Sequence, residues 1–505
     1  MDCAYLIYSY YDHPGLINWC QPSRYEHSHE IHPHGATLKS HYEMIVIGAG
    51  SAGYHAARVA STPNRSVALI EADEEFGGLC ILRGCMPTKT MLRSAEVAQL
   101  IRECGDLGLS TGKLEINWRK IVHRKRRLVN EFADYRLESA EGLPGIEIIR
   151  GWGSFVSPTE VYVNGNKLTA DHFVLSTGSR IWNPDIPGLT EVGYINSDDA
   201  LELSELPRSI AIYGGGPVAI EFAQLFQRLG TKVTVVQRSS HILSSFDHTV
   251  AQSLERYLQS EGITILTEST IVRLENAPDG KKRSVITRAG REFAIDSDEI
   301  MLALGRKPAI DGLNCGKAGI DCPDGQVQVD QYLRTSNNRV FAGGDVVGGR
   351  SVGHHQLVHV ATQQGEIIGH NAFHLSDLKK FSTDLIPQAV FTDPSVGIVG
   401  MTAREASFKG YNVIEASETF EDQGKALTMG QNKGLIKIVA DRDNGHILGV
   451  HILGPNGSEL IHEAIVAMYF NATIYDIVQI PHLHPTLSEL LLEPAEHLVS
   501  LISES

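Results

Sequence analysis

The chain has 505 residues, which at roughly 100–200 residues per domain implies three or four domains. Hydrophobic residues make up 42% and charged residues 21%, as in soluble globular proteins, and no apolar run is long enough for a membrane-spanning helix. The net charge of −16, from 44 basic and 60 acidic residues, argues against nucleic acid and against anionic membranes as partners, and a cytoplasmic location is expected.

Residues 1–41 differ in composition from the rest of the chain. They hold Tyr5, Tyr8, Tyr10 and Tyr11, and six histidines: His13, His27, His29, His32, His34 and His41. No basic stretch leads into an apolar one, so a secretory signal is not expected, and the scarcity of Arg disfavours a mitochondrial transit peptide. A metal-binding His tract and a disordered extension both remain open. The segment is set aside from the fold, and no metal site is assigned.

Next comes a short apolar strand, Ile45-Val46-Ile47, followed by Gly48-Ala-Gly50-Ser-Ala-Gly53, a helical stretch to Ala60 and the strand Val67 to Ile70, closed by Glu71. Strand, G-x-G-x-x-G, helix, strand and acid form a dinucleotide-binding unit. Gly48 permits the tight turn, Gly50 lets a pyrophosphate approach, and Gly53 lets the helix pack on the strand. The helix N-terminus offers N–H groups to phosphate. Glu71 is placed to accept ribose hydroxyls.

The stretch Gly77-Gly78-Leu-Cys80-Ile-Leu-Arg83-Gly84-Cys85-Met-Pro-Thr-Lys89 carries two cysteines five positions apart. A structural pair, half of a metal site, two buried thiols and a redox pair are all conceivable. A metal site would need further ligands, and Cys104, Cys315 and Cys322 are single or remote and read as incidental. Residues five apart do not share a helix face, so a disulfide needs a local distortion, which Gly84 can supply. Catalytic redox chemistry is the favoured reading. Arg83 would lower a thiol pKa, meet an anionic substrate, or simply be solvated.

A second unit repeats the first. Ile210 to Tyr213 is a strand, Gly214-Gly-Gly216-Pro-Val-Ala219 a turn, Ile220 to Leu229 a helix and Lys232 to Val236 a strand. Ala219 replaces the third glycine, which the motif allows. Gln237 stands where Glu71 stands in the first unit, and Arg238 is next to it. A missing acid with an adjacent Arg leans towards the 2′-phosphate of NADPH over NADH. Two dinucleotide sites in one chain suggest an electron relay between FAD and a nicotinamide.

From about Leu385 strands and helices alternate, with Val390 to Pro394 opening the region and two strands between Gly434 and Gly454. Near the end stands His482-Leu-His484-Pro-Thr-Leu-Ser-Glu489. A histidine polarised by a carboxylate can take a thiol proton near neutral pH.

Taken in this order, the motifs resemble those of the flavin-dependent pyridine nucleotide–disulfide oxidoreductases, over about residues 43–500. The cysteine motif and the run His484 to Glu489 most resemble the dihydrolipoyl dehydrogenase branch. The resemblance implies that Cys80 meets the substrate and that Cys85 lies against the flavin. It implies that Lys89 sits near flavin N5 with Glu221 as its ion-pair partner. It makes His484 the acid/base, Glu489 its orienting partner, and His482 a bystander. Thr177-Gly178, within Leu175 to Ser179, resembles the family's crossover between nucleotide sites. Gly305, within Ala303 to Pro308, resembles the end of its nicotinamide domain. Thr335 to Asp345 resembles its second FAD motif, with Asp345 on the ribityl or ribose-phosphate linker. The helix from His359 would point its N-terminus at the flavin.

The implied cofactors are FAD and NAD(P)H, with NADPH favoured. The implied assembly is a homodimer in which His484 and Glu489 serve the other subunit's cysteines. The implied substrate is a small disulfide or dithiol, or a lipoyl group. The expected fold is α/β, with two Rossmann-like doubly wound nucleotide domains and an α+β C-terminal dimerisation domain. Its parts are 1–41 (extension), 42–190 (FAD, first part), 191–309 (NAD(P)), 310–384 (FAD, second part) and 385–505 (interface). Alternatives are an NADPH-dependent reductase of another disulfide, as in glutathione reductase, a metal-ion reductase, as in mercuric reductase, or a non-catalytic FAD-binding protein. The tail Leu501 to Ser505 lacks the C-terminal cysteines expected of mercuric reductases. Two features depart from the resembled branch: Arg83 between the cysteines, and Gln237-Arg238 where an acid is usual.

Overall fold

The computed structural model describes residues 38–348 and 355–504. The Tyr- and His-rich head up to residue 37, with five of its six histidines, lies outside the described residues. The sixth, His41, begins the first strand, His41–Ile47, where its ring bonds the Thr169 hydroxyl at 3.0 Å.

The strand–turn–helix pattern at Gly48 folds as the glycine spacing predicts. Strand His41–Ile47 feeds helix Ser51–Ala60 and strand Val67–Glu71. These strands pair in parallel, and Ile146–Arg150, Asn166–Leu175 and Val340–Ala342 extend the parallel array. Asn166–Leu175 also carries an antiparallel meander through Glu160–Val163 to Ser154–Ser157. The last strand, Val340–Ala342, joins this sheet from some 165 residues further along the chain, so a long excursion separates two parts of one layer.

The excursion contains the second unit. Thr264–Leu266, Lys232–Val236, Ser209–Tyr213 and Glu299–Leu302 lie side by side in that order, all parallel. Helix Pro217–Arg228 comes after the glycine turn, opening on Pro217, whose missing N–H costs nothing in a first turn. An antiparallel sheet of Ser269–Asn276, Lys282–Arg288 and Arg291–Ser297 stands beside it. The expected α/β class with parallel sheets at both glycine motifs is what the structure shows.

The C-terminal region is antiparallel, in the order Gln388–Val390, Ser395–Gly400, Ile447–Gly454, Leu435–Asp441, Val413–Thr419. Helices Gly457–Tyr469, Ile474–Gln479 and Leu492–Ser503 pack on it around Phe420, Ile438, Ile452, Leu490 and Leu498. Gly397 is what lets the first of these helices approach, because a Cβ there would strike the Gly457 carbonyl. Among the described residues, no helix is long and apolar enough to cross a membrane.

Candidate active site

The cysteine motif breaks a helix in two. Cys80 sits in the short helix Gly78–Leu82, Arg83 ends it, and Cys85 opens the 19-residue helix Cys85–Glu103. Gly84 makes the break with φ −122° and ψ −108°. A Cβ on Gly84 would stand 2.9 Å from the Leu79 carbonyl and 3.4 Å from Cys80 Cα. The break brings together two side chains that a continuous helix would hold apart. Both cysteines are free and half-buried.

Their acidities are driven apart. The hydrogen bond from Cys80 is the main cause that brings Cys85 down to about 7, with Lys89 adding positive charge against the cost of burial. Its place at the start of a long helix acts in the same direction. The same interaction with Cys85 and then partial burial push Cys80 up. Cys85 is therefore the thiolate of the reduced pair.

Lys89, one turn along from Cys85, binds Glu221 at 2.8 and 3.1 Å. Glu221 is 3% exposed on helix Pro217–Arg228 and also accepts the Phe391 N–H at 3.0 Å. The Lys89 ammonium stands 4.4 Å over the Phe391 ring. Three distant segments thus converge on one ammonium group. Phe391 has no signal in the sequence, because its part is played by a backbone N–H and a ring face.

Arg83 is exposed, as the solvated reading of it has it. It pairs with Asp73 at 2.7 Å and lies 3.9 Å from Asp198, and it is not among the charges that shift either thiol. The cation that does bear on Cys80 is Arg136, on helix Trp118–Glu141. It stacks 4.2 Å over the Tyr54 ring with its Nη1 buried and unbonded.

The first glycine turn fits a dinucleotide phosphate. Helix Ser51–Ala60 starts at Gly50 with no side chain capping its N–H groups, so they stay available to an anion. Gly48, at φ +98°, packs on the Ser176 backbone, and a Cβ on Gly53 would strike the Gly48 carbonyl. Gly78, at φ +67°, presses on Gly50, where an added Cβ would come within 2.6 Å of its Cα. Glu71 is buried and accepts Ala49 N–H at 2.8 Å and Asp73 N–H at 3.0 Å, leaving each carboxylate oxygen a lone pair for a ribose hydroxyl.

The remaining FAD-motif residues gather at the same sheet edge. Thr177 donates to the Ala309 carbonyl at 2.7 Å, and Gly178, at φ +71°, faces open space. Ser179 Oγ donates to Asp345 at 2.7 Å and accepts from Arg306 Nε at 2.9 Å, so one hydroxyl links Arg306 to the Asp345 carboxylate. Gly343-Gly344 leads into Asp345, and Gly344 N–H donates to Gln364 at 2.7 Å. His359 is the second residue of helix Val358–Asn371, with a hydrogen bond to the Pro387 backbone. These residues together fit FAD.

At the second turn, Gly214 has φ +121°, and Gly216 begins helix Pro217–Arg228 with open space before it and no side-chain cap. Ala219 is fully buried under the turn. Gln237 folds over Gly215, while Arg238 is exposed. Gly305, at φ +105°, accepts Trp182 N–H at 3.1 Å. This site fits a nicotinamide dinucleotide.

The terminal motif forms a dyad. His484 Nδ1 lies 2.8 Å from Glu489 Oε1, and Glu489 Oε2 accepts Thr486 N–H at 2.6 Å. The Thr486 N–H and then the His484 hydrogen bond hold the Glu489 carboxyl below its usual range. The His484 side chain is 81% exposed, whereas His482 is 4% exposed and bound to Glu463 at 2.7 Å.

Comparison with known proteins agrees. Residues 42–365 match the family model for pyridine nucleotide-disulphide oxidoreductases, and residues 386–495 match that family's dimerisation domain. The chain is 33% identical over 449 residues to a mercuric reductase of Bacillus cereus, covering 89% of this chain and 70% of that one. It is 32% identical over 479 residues to a dihydrolipoyl dehydrogenase of Bacillus subtilis (strain 168), covering 91% and 98%. Among solved structures, the HOCl-induced flavoprotein disulfide reductase RclA from Escherichia coli aligns with a TM-score of 0.79 at 27% identity, covering 90% of this chain and 99% of that one. The chain therefore belongs to the pyridine nucleotide-disulphide oxidoreductase family, which depends on FAD and draws electrons from NAD(P)H.

Proposed function

We propose that this protein is a homodimeric, dihydrolipoyl dehydrogenase-like enzyme that exchanges electrons between a small dithiol or disulfide and NAD(P)H through Cys80 and Cys85. The observation that carries the reading is the His484–Glu489 dyad, a thiol base held by a carboxylate and open to solvent.

In the thiol-oxidising direction, the pair starts as a disulfide. His484 Nε2 takes a proton from the substrate thiol while Nδ1 stays tied to Glu489. The substrate thiolate attacks Cys80 Sγ, forming a mixed disulfide and releasing Cys85 as a thiolate. The second substrate thiol then attacks the mixed disulfide, closes the product disulfide and leaves Cys80 as a thiol. Lys89, fixed by Glu221, holds the Cys85 charge. The bound FAD supplies the two-electron exchange between this pair and the nicotinamide. Gly48, Gly50, Gly53, Gly78, Glu71, Thr177, Gly178, Asp345 and the His359 helix would hold it. Gly214, Gly216, Ala219 and Gly305 would hold the nicotinamide, and Arg238 would favour NADPH.

The mercuric reductase relatives support a second reading, reduction of a soft metal ion at the same pair. A rate panel crossing NADH and NADPH with lipoamide, glutathione disulfide and mercuric ion separates the two. Lipoamide turnover lost in Cys85→Ser, with transfer to artificial acceptors retained, is expected. Turnover of mercuric ion alone would overturn the dithiol assignment.

A further inference from the structure

Helix Pro217–Arg228 is largely buried, yet three of its buried residues are polar: Glu221, Gln224 and Arg228. Spaced three and four positions apart, they share one face of the helix. Buried polar groups are costly unless they are bonded. All three are bonded to one short segment, Phe391-Thr392-Asp393, which opens the C-terminal region. Glu221 Oε1 accepts Phe391 N–H at 3.0 Å. Gln224 Oε1 accepts Asp393 N–H at 2.9 Å, and Gln224 Nε2 donates to the Asp393 carbonyl at 2.8 Å. Arg228 Nη1 donates to the Asp393 carboxylate at 2.8 Å, and Nη2 to the Asp393 carbonyl at 3.1 Å.

Glu261 braces this clamp from the other side. It accepts Gln224 Nε2 at 3.0 Å and Arg228 Nε and Nη2 at 2.9 and 2.6 Å. Asp393 is therefore gripped at its N–H, its carbonyl and its carboxylate, two positions from Phe391.

Phe391 is where the clamp meets the redox pair. Besides Cys80, the charges acting on Cys85 are Lys89, which favours its thiolate, and Glu221, which opposes it. The Phe391 N–H offsets part of the Glu221 charge, and the Phe391 ring lies 4.4 Å from the Lys89 ammonium. The placing of this backbone sets how much of the Lys89 charge is left for Cys85.

We propose that Gln224 and Arg228 are positioning residues for disulfide exchange: by fixing Asp393 they hold Phe391 on Glu221, and so keep the Lys89 ammonium available to Cys85. The proposal rests on the reading of Cys85 as the thiolate of the reduced pair. If the clamp loosens, Glu221 loses its second donor and draws more of the Lys89 charge. Cys85 then becomes a poorer thiolate and leaves more slowly when substrate attacks Cys80.

The test uses the FAD-loaded, reduced protein, alkylated with iodoacetamide across a pH series, with modification of Cys85 read on its own peptide. Gln224→Met removes both Asp393 bonds with little change of volume. Its midpoint should rise by roughly half a pH unit, less than in Lys89→Gln. Alkylation is carried out below the melting temperature of every variant, so lost fold is not counted as lost positioning. If Gln224→Met does not fold, Asp393→Ala, at a side chain 37% exposed, decides in its place and should shift the midpoint the same way. A midpoint that stays in place or falls in the deciding variant, while Lys89→Gln raises it, overturns the proposal and leaves the Cys85 reading intact. No rise in Lys89→Gln overturns both.

Discussion

At the scale of single residues, reactivity turns on which charge reaches which sulfur. Lys89 faces Cys85, whereas Arg83, although inside the cysteine loop, is spent on Asp73 and Asp198. Below about pH 7 the reduced pair holds both protons, and above it Cys85 carries the charge. Alkylation of the reduced protein by iodoacetamide should therefore rise with pH through a midpoint near 7. Lys89→Gln should move that midpoint upward, because the thiolate loses its nearest cation. Arg83→Ala should leave it in place, and an equal upward shift in both variants would refute the assignment of Lys89. Arg238 offers a second residue-scale test. Arg238→Ala should cut the NADPH-to-NADH ratio of kcat/KM by about tenfold, the equivalent of about 1.4 kcal/mol. The sequence marked Cys80, Cys85 and His484 by the spacing of their motifs, and Lys89 and Glu221 only through the family resemblance. It could not settle Arg83, because Asp198 lies more than a hundred positions away and comes near only through folding. Arg136 had no local signal at all.

At the scale of elements, glycine does more than turn the chain. Helices Ser51–Ala60 and Val358–Asn371 touch backbone to backbone, because a Cβ on Gly365 or Gly369 would strike the carbonyl of Ala52 or Ala56. This contact fixes the second helix, and with it His359, against the phosphate-binding helix. Gly365→Ala should therefore lower stability by about 1–3 kcal/mol, as overpacking does. It should also loosen FAD, read as a lower Tm and as flavin lost on gel filtration. An unchanged Tm would show that the helices can part at no cost. The glycine-turn units were legible in sequence almost residue by residue. Strand Lys232–Val236 runs as expected, and helix Ser51–Ala60 ends at the expected residue, because a buried parallel strand and a glycine turn leave strong local marks. The meander of Ser154–Leu175 and the antiparallel sheet of Ser269–Ser297 were not legible. Their strands are half-exposed and short of apolar runs, although Asn164-Gly165, with both φ values positive, is a hairpin signature that the sequence carries.

At the scale of the whole molecule, no hydrogen bond or ion pair among the described residues joins the thiols to the base, whose partner is Glu489. The cysteine pair is half-buried with Lys89 bearing on Cys85, while His484 stands 81% exposed on the C-terminal motif, with Glu489 already in place. A base that is oriented but has no thiol to serve is half of a site. In the proposed homodimer, a two-fold axis through the C-terminal region would complete it twice, since each surface would then meet its counterpart. His484→Gln alone should slow thiol oxidation by at least about 10²-fold, as loss of a general base does. Cys85→Ser alone should stop it. If each site draws its thiols from one subunit and its base from the other, mixing the two dead proteins revives activity. A hybrid dimer then has one doubly damaged site and one intact site. Equal mixing after dissociation and reassociation makes about half of the dimers hybrids, so roughly a quarter of wild-type turnover should return. If both halves of a site came from one chain, every chain in the mixture would stay damaged and no activity would return. Gel filtration of the mixture shows that dimers have re-formed, so failure to reassociate is not mistaken for the second outcome.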